Sequence, residues 1–564
     1  MGMLADADEQ GGPMRYQPET VARLLASLAL LAPLASAAGA QPAASVAIDA
    51  SRPVGPIGEL YNVGYDGWGD ITNTGMVAAF CDLGVKYCRL VIDLSELCGD
   101  APGDYHWDYA RPRDVGLGFT DQVRKVIANG WTPLLAFSYH SGAALLPRWF
   151  HGEHHDANQR VWARYNRDGS PATEGWGDQL GAATGIARDV AAHLAGLGLT
   201  GLHWETIYEM GHDMPLVEVH HAVAEGLREA DPTCVIAGPA TWPGWTVEER
   251  FVKPYLAKYG PDLLDRVSVH WYGSNDHEVR KLWEGEPEDW VPTMARRDCL
   301  AALLERTKLF GDWTRSLHAL LTAPQLNPQA KAIGIIFTEV DVDATSYYMR
   351  NPVNDAWPEY RAEADCWLNT NSFGGVWWAS VLCHIASAGV AADAAKFTAR
   401  YYYGLAEMAP DDRAYRYPVW FALRLLREQG GLTSGRQMLQ VSCEATAQTE
   451  AFATGGPGDL RAIVINKVFT PQSIRLSVSG LAAGNWQATR YVFDETRVAR
   501  FLGRKPGEEA DGLFEGAPTD DSLSARCLEP VDTVPCAEAG GFHTLADFQC
   551  PPLSFTVLRF EAAR

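Results

Sequence analysis

The sequence lacks the short motifs that would assign a chemistry directly. Its eleven cysteines are scattered without the CxxC pairs of a zinc site. It contains no GxSxG segment of the kind that carries a nucleophilic serine, and no glycine-rich phosphate loop follows the first predicted strand. These absences disfavour structural zinc, serine-hydrolase chemistry and dinucleotide binding.

Basic charge is also scarce. Lysine and arginine number 47 against 70 aspartates and glutamates, for a formal net charge of −23. Binding a phosphate backbone requires clustered basic side chains, so this composition argues against a nucleic-acid partner. A hydrophobic content of 47% with 21% charged residues is typical of a folded globular protein.

Apolar runs are short. The apolar segment LLASLALLAPL at residues 24–34 is shorter than the roughly 20 residues that span a bilayer. It follows Arg15 and Arg23 and precedes the small residues that end at Ala40, which is the pattern of a cleaved signal peptide over residues 1–40. We therefore expect an exported protein, periplasmic or secreted, with no membrane span in the mature chain.

The cysteines fall into two groups by their surroundings. One group lies in apolar runs and is expected to be buried and unpaired: Cys81, Cys88, Cys234 and Cys383. The other lies in a loop-rich C-terminal stretch and could supply one disulfide in an oxidising compartment: Cys527, Cys536 and Cys550.

Helical and extended patterns alternate from about residue 57 to residue 430. In DQVRKVIANGWTPLLAFSYH, for example, apolar residues at helical spacing are followed by a stop at Asn129–Gly130 and a strand over Thr132–Phe137. About eight such units predict an α/β fold, a (β/α)8 TIM barrel over residues 41–435. A doubly wound sheet is the alternative.

The periodicity changes after residue 435. Short alternating strands separated by turns, such as SIRLSVSG, predict a C-terminal antiparallel β-sandwich domain over residues 436–564. The early strand Ser45–Ala50 is a candidate to join that sandwich. Residues 506–546, rich in glycine, aspartate and proline, are predicted to form a long loop.

Candidate functional residues lie where the barrel strands end, because the carboxyl ends of the strands form the active face of such barrels. Glu209 and Glu339 follow the predicted fourth and seventh strands. Two facing carboxylates are what glycoside hydrolysis requires, one as proton donor and one as nucleophile or base. No metal-ligand spacing occurs among the strand-end residues.

Several motifs, in this order, resemble one family. They are GVKYCRL (residues 84–90), WETIYE (204–209), CVIAGPA (234–240), VSVHWYG (267–273), IIFTEVD (335–341) and PPLSFTVLRF (551–560). Together they resemble the retaining glycoside hydrolases of clan A, and most closely glycoside hydrolase family 39, the β-xylosidase and α-L-iduronidase type. The resemblance covers nearly the whole mature chain.

The resemblance implies a role for each matching residue. Glu209 would be the general acid/base and Glu339 the nucleophile, held by Arg89. The substrate-binding residues implied with them, or found at neighbouring strand ends, are Arg89, His140, Tyr208, His270, Tyr272, Trp377 and Trp378. The tryptophans are placed on a predicted eighth strand, where one would form a platform for the sugar. No metal or organic cofactor is implied.

Two other carboxylates, Glu205 and Asp341, lie near the two candidate glutamates in the sequence. Strand alternation would point Glu205 the same way as Glu209, two steps deeper in the barrel, where it is expected to be a structural carboxylate paired with Arg89 or a histidine. Asp341 lies two residues past Glu339 and is expected either to contact substrate or to cap a helix.

Tyr208 departs from the family pattern, in which an asparagine precedes the acid/base. That asparagine contacts the 2-hydroxyl of the sugar, so the usual substrates cannot simply be transferred. We expect a retaining glycosidase acting on oligosaccharide or polysaccharide fragments, with β-xylosides as the default and arabinosides or acidic sugars as alternatives. A carbohydrate-binding barrel that has lost turnover is the alternative from another class.

Overall fold

The computed structural model describes residues 43–65, 71–110, 116–139, 148–151, 177–209, 215–276, 278–279, 300–342, 372–396, 404–408, 412–444, 448–498 and 526–563. The predicted signal peptide over residues 1–40 lies outside these ranges. Within them, no helix combines the length and apolarity that crossing a membrane would demand.

A closed barrel of parallel strands forms the larger part of the fold, which confirms the predicted TIM barrel and rules out a doubly wound sheet. The strands follow one another in chain order around the barrel, and the eighth pairs with the first. They are β2 (Asn62–Tyr65), β3 (Tyr87–Asp93), β4 (Thr132–Ser138), β5 (His203–Glu205), β6 (Val235–Thr241), β7 (Arg266–Tyr272), β8 (Gly334–Asp341) and β9 (Ala392–Lys396).

Helices precede and follow these strands. Their bounds are α1 (Thr74–Asp82), α2 (Leu94–Leu97), α3 (Phe119–Ala128), α4 (Arg148–His151), α5 (Gly177–Gly196), α6 (Leu216–Ala230), α7 (Trp245–Val247), a π-helical turn (Glu248–Val252), α8 (Lys253–Tyr259), α9 (Lys308–Leu321), α10 (Ser372–Ala386) and α11 (Pro418–Glu428). Short 3-10 turns occupy Gly273–Asn275 and Arg526–Leu528.

Helix α3 shows how the sequence builds one unit of the barrel. Val123 and Val126 are buried on its inner face. The helix ends at Ala128, and Gly130 follows with φ +84°, a left-handed conformation that glycine adopts without strain. The chain then enters β4 at Thr132.

The prediction for the eighth strand was wrong. The segment containing Trp377 and Trp378 is helix α10, and the eighth strand is the later segment β9. Thirteen of the fifteen residues of α10 are buried. A helix buried all round is apolar on every face, so its sequence has no periodicity that distinguishes it from a buried strand.

The second sheet is mostly antiparallel and confirms the predicted β-domain. Its first strand is β1, which pairs antiparallel with β12 and parallel with β15, so the start of the described chain lies in the C-terminal sheet. The strands are β1 (Ala44–Pro56), β12 (Gln437–Cys443), β13 (Thr449–Gly456), β14 (Asp459–Asn466), β15 (Gln472–Ser479), β16 (Trp486–Phe493), β17 (Asp532–Pro535), β18 (Ala537–Ala539), β19 (Phe542–Thr544), β20 (Phe548–Cys550) and β21 (Ser554–Ala562). A separate hairpin pairs β10 (Ala406–Met408) with β11 (Ala414–Arg416).

Three further predictions were wrong, two about this domain and one about Cys81 in the barrel. Residues 532–535, 537–539 and 542–544 of the predicted long loop are strands β17 to β19. The nine cysteines in the described residues are free thiols, so Cys527, Cys536 and Cys550 form no disulfide with one another. Cys81, expected to be buried, is exposed.

A polar cluster of buried and half-buried side chains joins the barrel to the sheet domain. Glu450 on β13 accepts hydrogen bonds from Ser380 (2.5 Å) and forms an ion pair with His384 (2.9 Å), both on α10. Lys467, which follows β14, binds Glu450 and donates to the barrel-side carbonyl of Leu304 (2.7 Å). Each charge is compensated, which is the condition for burying it.

Candidate active site

The candidate site lies at the carboxyl ends of the barrel strands and is centred on Arg89 of β3. Its guanidinium is buried at 2% exposure. The Nε atom donates to Glu205 Oε2 (2.7 Å) and Nη1 donates to Glu339 Oε1 (2.5 Å). The planar fork of an arginine can hold two carboxylates at fixed positions, as Arg89 does here.

Glu205 is a structural carboxylate. It is fully buried at the end of β5, and its second oxygen accepts a hydrogen bond from Thr338 Oγ1 (2.7 Å). The expected pairing with Arg89 is confirmed. Because β5 ends at Glu205, the alternation argument that placed Glu209 on the same face does not apply.

Glu339 on β8 is held from three sides. Besides Arg89, Tyr272 Oη donates to its Oε2 (2.6 Å), and His270 Nδ1 lies 3.3 Å from the same oxygen. Burial and the nearby Glu209 carboxylate raise the pKa of Glu339, and the Arg89 charge and the Tyr272 hydrogen bond oppose that rise. Burial likewise raises the pKa of Tyr272 well above its usual value, so the phenol stays a donor.

Glu209 lies on the turn that follows β5. Its backbone adopts φ +48°, which is uncommon for a residue other than glycine, and its N–H donates to Ala240 O (3.1 Å). Its carboxylate is one-third exposed, and its Oε1 lies 2.9 Å from His270 Nδ1. Glu209 is therefore partly exposed, whereas Glu339 is buried.

The two carboxylates are close together. One carboxylate oxygen of each glutamate and one ring nitrogen of His270 all lie within 4.8 Å of one another. Glycosidases that retain anomeric configuration have carboxyl groups about 5–5.5 Å apart, and those that invert it need about 6.5–9.5 Å. The two glutamates thus bring one carboxylate oxygen each to within 4.8 Å of the other.

The same three residues carry atoms that bind metals, but their hydrogen bonding does not suit a cation. His270 Nε2 lies 3.2 Å from Arg89 Nη2. Arginine only donates, so Nε2 must accept, and the ring proton of a neutral imidazole is then on Nδ1. The nitrogen that faces the two glutamates therefore has no lone pair for a metal.

Tyr208 lies beside this network. Its ring centroid is 4.8 Å from Arg89 Cζ and 5.7 Å from the His270 ring, which it meets edge to face. Its backbone N–H donates to Phe137 O on β4 (3.0 Å). The aromatic side chain thus contacts the arginine that positions Glu339.

Trp377 and Trp378 are not brought to the site surface. Both are buried inside α10, at 0% and 1% exposure, so neither presents a ring face to a sugar. They were placed wrongly because a buried helix was taken for a strand. Among the described residues, Trp242 is a half-buried tryptophan close to the site, 6.2 Å between ring centroids from Tyr272. Its position directly after β6 was a signal that sequence reasoning missed.

Among the described residues, Asp341 is closed off from the space where a substrate would lie. It is fully buried, and both of its oxygens accept hydrogen bonds from Lys396 Nζ (2.6 and 2.7 Å) at the end of β9. Burial raises the pKa of Asp341 to about 7, against the opposing effect of Lys396. Lys396 escaped sequence reasoning because β9 had not been recognised. His140 lies outside the described residues.

Comparison of the sequence with protein-family models and with curated proteins finds no match. Comparison of the structure finds solved glycoside hydrolases. A bacterial orthologue of human α-L-iduronidase has a TM-score of 0.54 at 16% identity, with 92% of this chain and 84% of that chain covered. A monomeric β-xylosidase from Caulobacter crescentus CB15 has a TM-score of 0.53 at 15% identity, covering 92% and 100%.

A third neighbour is CelM2, a bifunctional glucanase-xylanase from a metagenome library, with a TM-score of 0.51 at 14% identity and coverage of 93% and 100%. At such low identity, these similarities show the fold alone. The chain has the barrel and β-domain architecture of these glycoside hydrolases. Family 39 in particular stays a prediction from the motifs.

Proposed function

We propose that this protein is a retaining glycoside hydrolase that cleaves O-glycosidic bonds by double displacement. The observation that carries the proposal is the pair Glu209 and Glu339, whose carboxylate oxygens lie within 4.8 Å of each other. This short distance supports retention, for which the carboxyl groups lie about 5–5.5 Å apart, over inversion, which needs about 6.5–9.5 Å. The architecture shared with known glycosidases supports the same reading.

Glu339 is the proposed nucleophile. Arg89 and Tyr272 bind its two oxygens and hold them in one orientation, which reduces the reorganisation needed for attack. In the first step, a Glu339 oxygen bonds to the anomeric carbon while the bond from that carbon to the leaving oxygen breaks. The product is a covalent glycosyl-enzyme.

Glu209 is the proposed acid and base. It gives its proton to the leaving oxygen in the first step and takes a proton from water in the second, when that water displaces Glu339 from the anomeric carbon. Its one-third exposure supports this role, because the group must meet both the leaving group and bulk water.

The proposed substrate is an oligosaccharide or polysaccharide fragment, with a β-xyloside as the default and an arabinoside or acidic sugar as the alternatives. The default comes from the motif resemblance. Tyr208 stands where the resembled family has asparagine, so either the sugar's 2-hydroxyl is held differently or the sugar has an unusual configuration or substituent at C2. We further propose that the protein acts outside the cytoplasm, as the N-terminal pattern indicates.

A panel of aryl glycosides tests the activity, and Glu339→Gly tests the nucleophile. With a β-glycoside and added azide, this variant is expected to form an α-configured glycosyl azide, because azide enters from the face that the carboxylate has vacated. A β-configured azide, or no rescue beside an active wild type, would remove Glu339 from this role.

Glu209→Ala tests the acid. Substrates with poor leaving groups should lose at least about 100-fold in kcat/KM, since they need protonation, whereas activated aryl leaving groups should lose much less. Equal activity of wild type and variant on poor leaving groups would remove Glu209 from the acid role.

A non-catalytic carbohydrate-binding barrel is the second candidate. The observation in its favour is the Tyr208 ring, 4.8 Å from the Arg89 guanidinium beside the proposed nucleophile. If wild type hydrolyses no glycoside in the panel yet binds sugars by calorimetry, this second function replaces the first.

A further inference from the structure

His270 touches both proposed catalytic carboxylates. Its Nδ1 atom lies 2.9 Å from Glu209 Oε1 and 3.3 Å from Glu339 Oε2. The ring is fully buried on β7. One nitrogen therefore stands between the group that would donate the proton and the group that would attack.

The surroundings of the ring determine its protonation. Arg89 on β3 faces Nε2 and can only donate to it, so a proton on Nε2 would oppose an arginine N–H at 3.2 Å. Among the residues that the structure describes, the charged and titratable groups that face His270 are Arg89, Glu209 and Glu339, with Tyr272 and Tyr208 bordering the same space. The imidazole is thus neutral, and its one N–H points at the two glutamates.

We propose that His270 is a positioning residue whose single Nδ1–H follows the negative charge between Glu339 and Glu209 during the reaction, with Arg89 fixing the tautomer. This inference rests on the proposed function. It assigns His270 a role in both chemical steps, whereas lining the sugar pocket would require neither of the two contacts.

The charge movement follows from the two steps. Before attack, Glu339 carries the charge and Glu209 carries the proton. When the glycosyl-enzyme forms, Glu339 becomes a neutral ester and Glu209, having lost its proton to the leaving oxygen, becomes the carboxylate. The second step reverses both changes. His270 gains and loses no proton, and only the acceptor of its hydrogen bond changes.

The arrangement in the resting protein can be tested without any substrate. Protein labelled with 15N-histidine, observed by NMR, should show His270 as the neutral tautomer with a protonated Nδ1 and a lone pair on Nε2. Disappearance of that signal set in His270→Gln assigns it among the 15 histidines. A protonated Nε2 on His270 would overturn the proposal.

The role in turnover is tested by a matched pair of variants. In His270→Asn, the side-chain amide takes the place of Nδ1 and keeps a donor toward the glutamates. In His270→Gln, the amide reaches the place of Nε2, and the donor is lost. Because a hydrogen bond to a carboxylate lowers its pKa, losing the donor raises that pKa.

The pH profiles of kcat/KM and of kcat are measured on the glycoside that the wild type hydrolyses fastest. The acidic limb of each profile is then compared between wild type and the variants. In His270→Gln, the acidic limb of the kcat/KM profile, which reports the pKa of Glu339 in the free enzyme, should move up by about one pH unit. For a substrate with an activated leaving group, the acidic limb of the kcat profile reports the pKa of Glu209 in the glycosyl-enzyme. This limb should also move up by about one pH unit. His270→Asn should keep both limbs near those of wild type.

Rates that fall at all pH values with both limbs unmoved would indicate a merely structural histidine and overturn the proposal. Movement of only one limb would assign His270 to one carboxylate and overturn the sharing. If wild type itself hydrolyses no glycoside, the proposed function is wrong and the role of His270 in turnover is wrong with it. The NMR spectrum still decides which ring nitrogen of His270 carries the proton in the resting protein.

Discussion

At the scale of single residues, the proposed chemistry depends on how a few side chains share partners. Arg89 is bound by Glu205 and Glu339 at once, and its pKa is raised by both carboxylates even though burial alone would lower it. Tyr208 covers the same guanidinium. The residue that departs from the family pattern is therefore in contact with the residue that orients the proposed nucleophile.

Substitution of Tyr208 measures what its ring contributes. A cation–π contact at a desolvated site contributes up to about 2 kcal/mol. We therefore expect Tyr208→Leu to lower kcat/KM by roughly tenfold or more, since the ring over Arg89 is lost, and Tyr208→Phe to retain a much larger share of activity. Greater activity of Tyr208→Leu than wild type would show instead that the ring obstructs the sugar.

At the scale of elements, the turn after β5 is positioned by its neighbours in the barrel. Thr206 N–H donates to Ala237 O (3.0 Å) on β6, and the turn continues with further bonds to β4 and β6. Thr206 Oγ1 also lies 2.7 Å from His220 Nδ1 on α6. His220 is buried, which lowers its pKa to about 3 and keeps the ring neutral. The turn that carries Glu209 is thereby tied to two strands and a helix.

Gly238 on β6 is necessary for that packing. A Cβ added there would come within 2.5 Å of His220 Nδ1 and 2.7 Å of Thr206 Oγ1. We expect Gly238→Ala to lower both the melting temperature and the hydrolytic rate, because the turn must move. Thermal unfolding and aryl-glycoside assays check this.

Gly185 in the middle of α5 provides the control. A Cβ there would meet nothing within 4 Å. Gly185→Ala is expected to stabilise the helix by up to about 1 kcal/mol and to leave activity unchanged. Equal effects of the two substitutions would contradict the role assigned to Gly238.

At the scale of the whole molecule, the barrel and the β-domain are joined by burial of charge as well as by apolar packing. Glu450 lies between His384 and Lys467, and these partners lower its pKa from 4.5 to about 2 in spite of burial. A depressed pKa means that the carboxylate stabilises the fold at pH above about 4.5. This stabilisation is lost as the pH falls from about 4.5 toward 2.

Glu450→Gln should therefore destabilise the protein at neutral pH by about 3 kcal/mol, because it leaves Lys467 buried without its partner charge. The melting temperature of the variant should also fall less steeply than that of wild type between pH 4.5 and 2. Calorimetric scans across this range check both expectations.

The exposed pair Arg475–Asp547 in the same domain is the control. Solvent screens this pair, so Arg475→Ala should leave the melting temperature nearly unchanged at neutral pH. Comparable losses from both variants would show that the Glu450 cluster acts as an ordinary surface pair.

The sequence by itself determined the barrel and the β-domain, and it predicted that Glu209 and Glu339 lie at the same end of the barrel. Amphipathic helices such as α3 carry a local period, and strand-end residues such as Glu339 inherit their placement from the topology of a parallel barrel. The pairing of Glu205 with Arg89 or a histidine was also predicted from the sequence, because Glu205 and Arg89 were both assigned to barrel strands.

Only the tertiary structure decided what depends on contacts between distant segments. α10 is buried on every side, so its composition resembles a strand, and β9 was missed in consequence. His270 on β7 contacts Arg89 on β3, Glu339 on β8 and Glu209 on the turn after β5. These partners lie 61 or more residues from His270 in the sequence. No local pattern encodes a tautomer, because an arginine about 180 residues away fixes it.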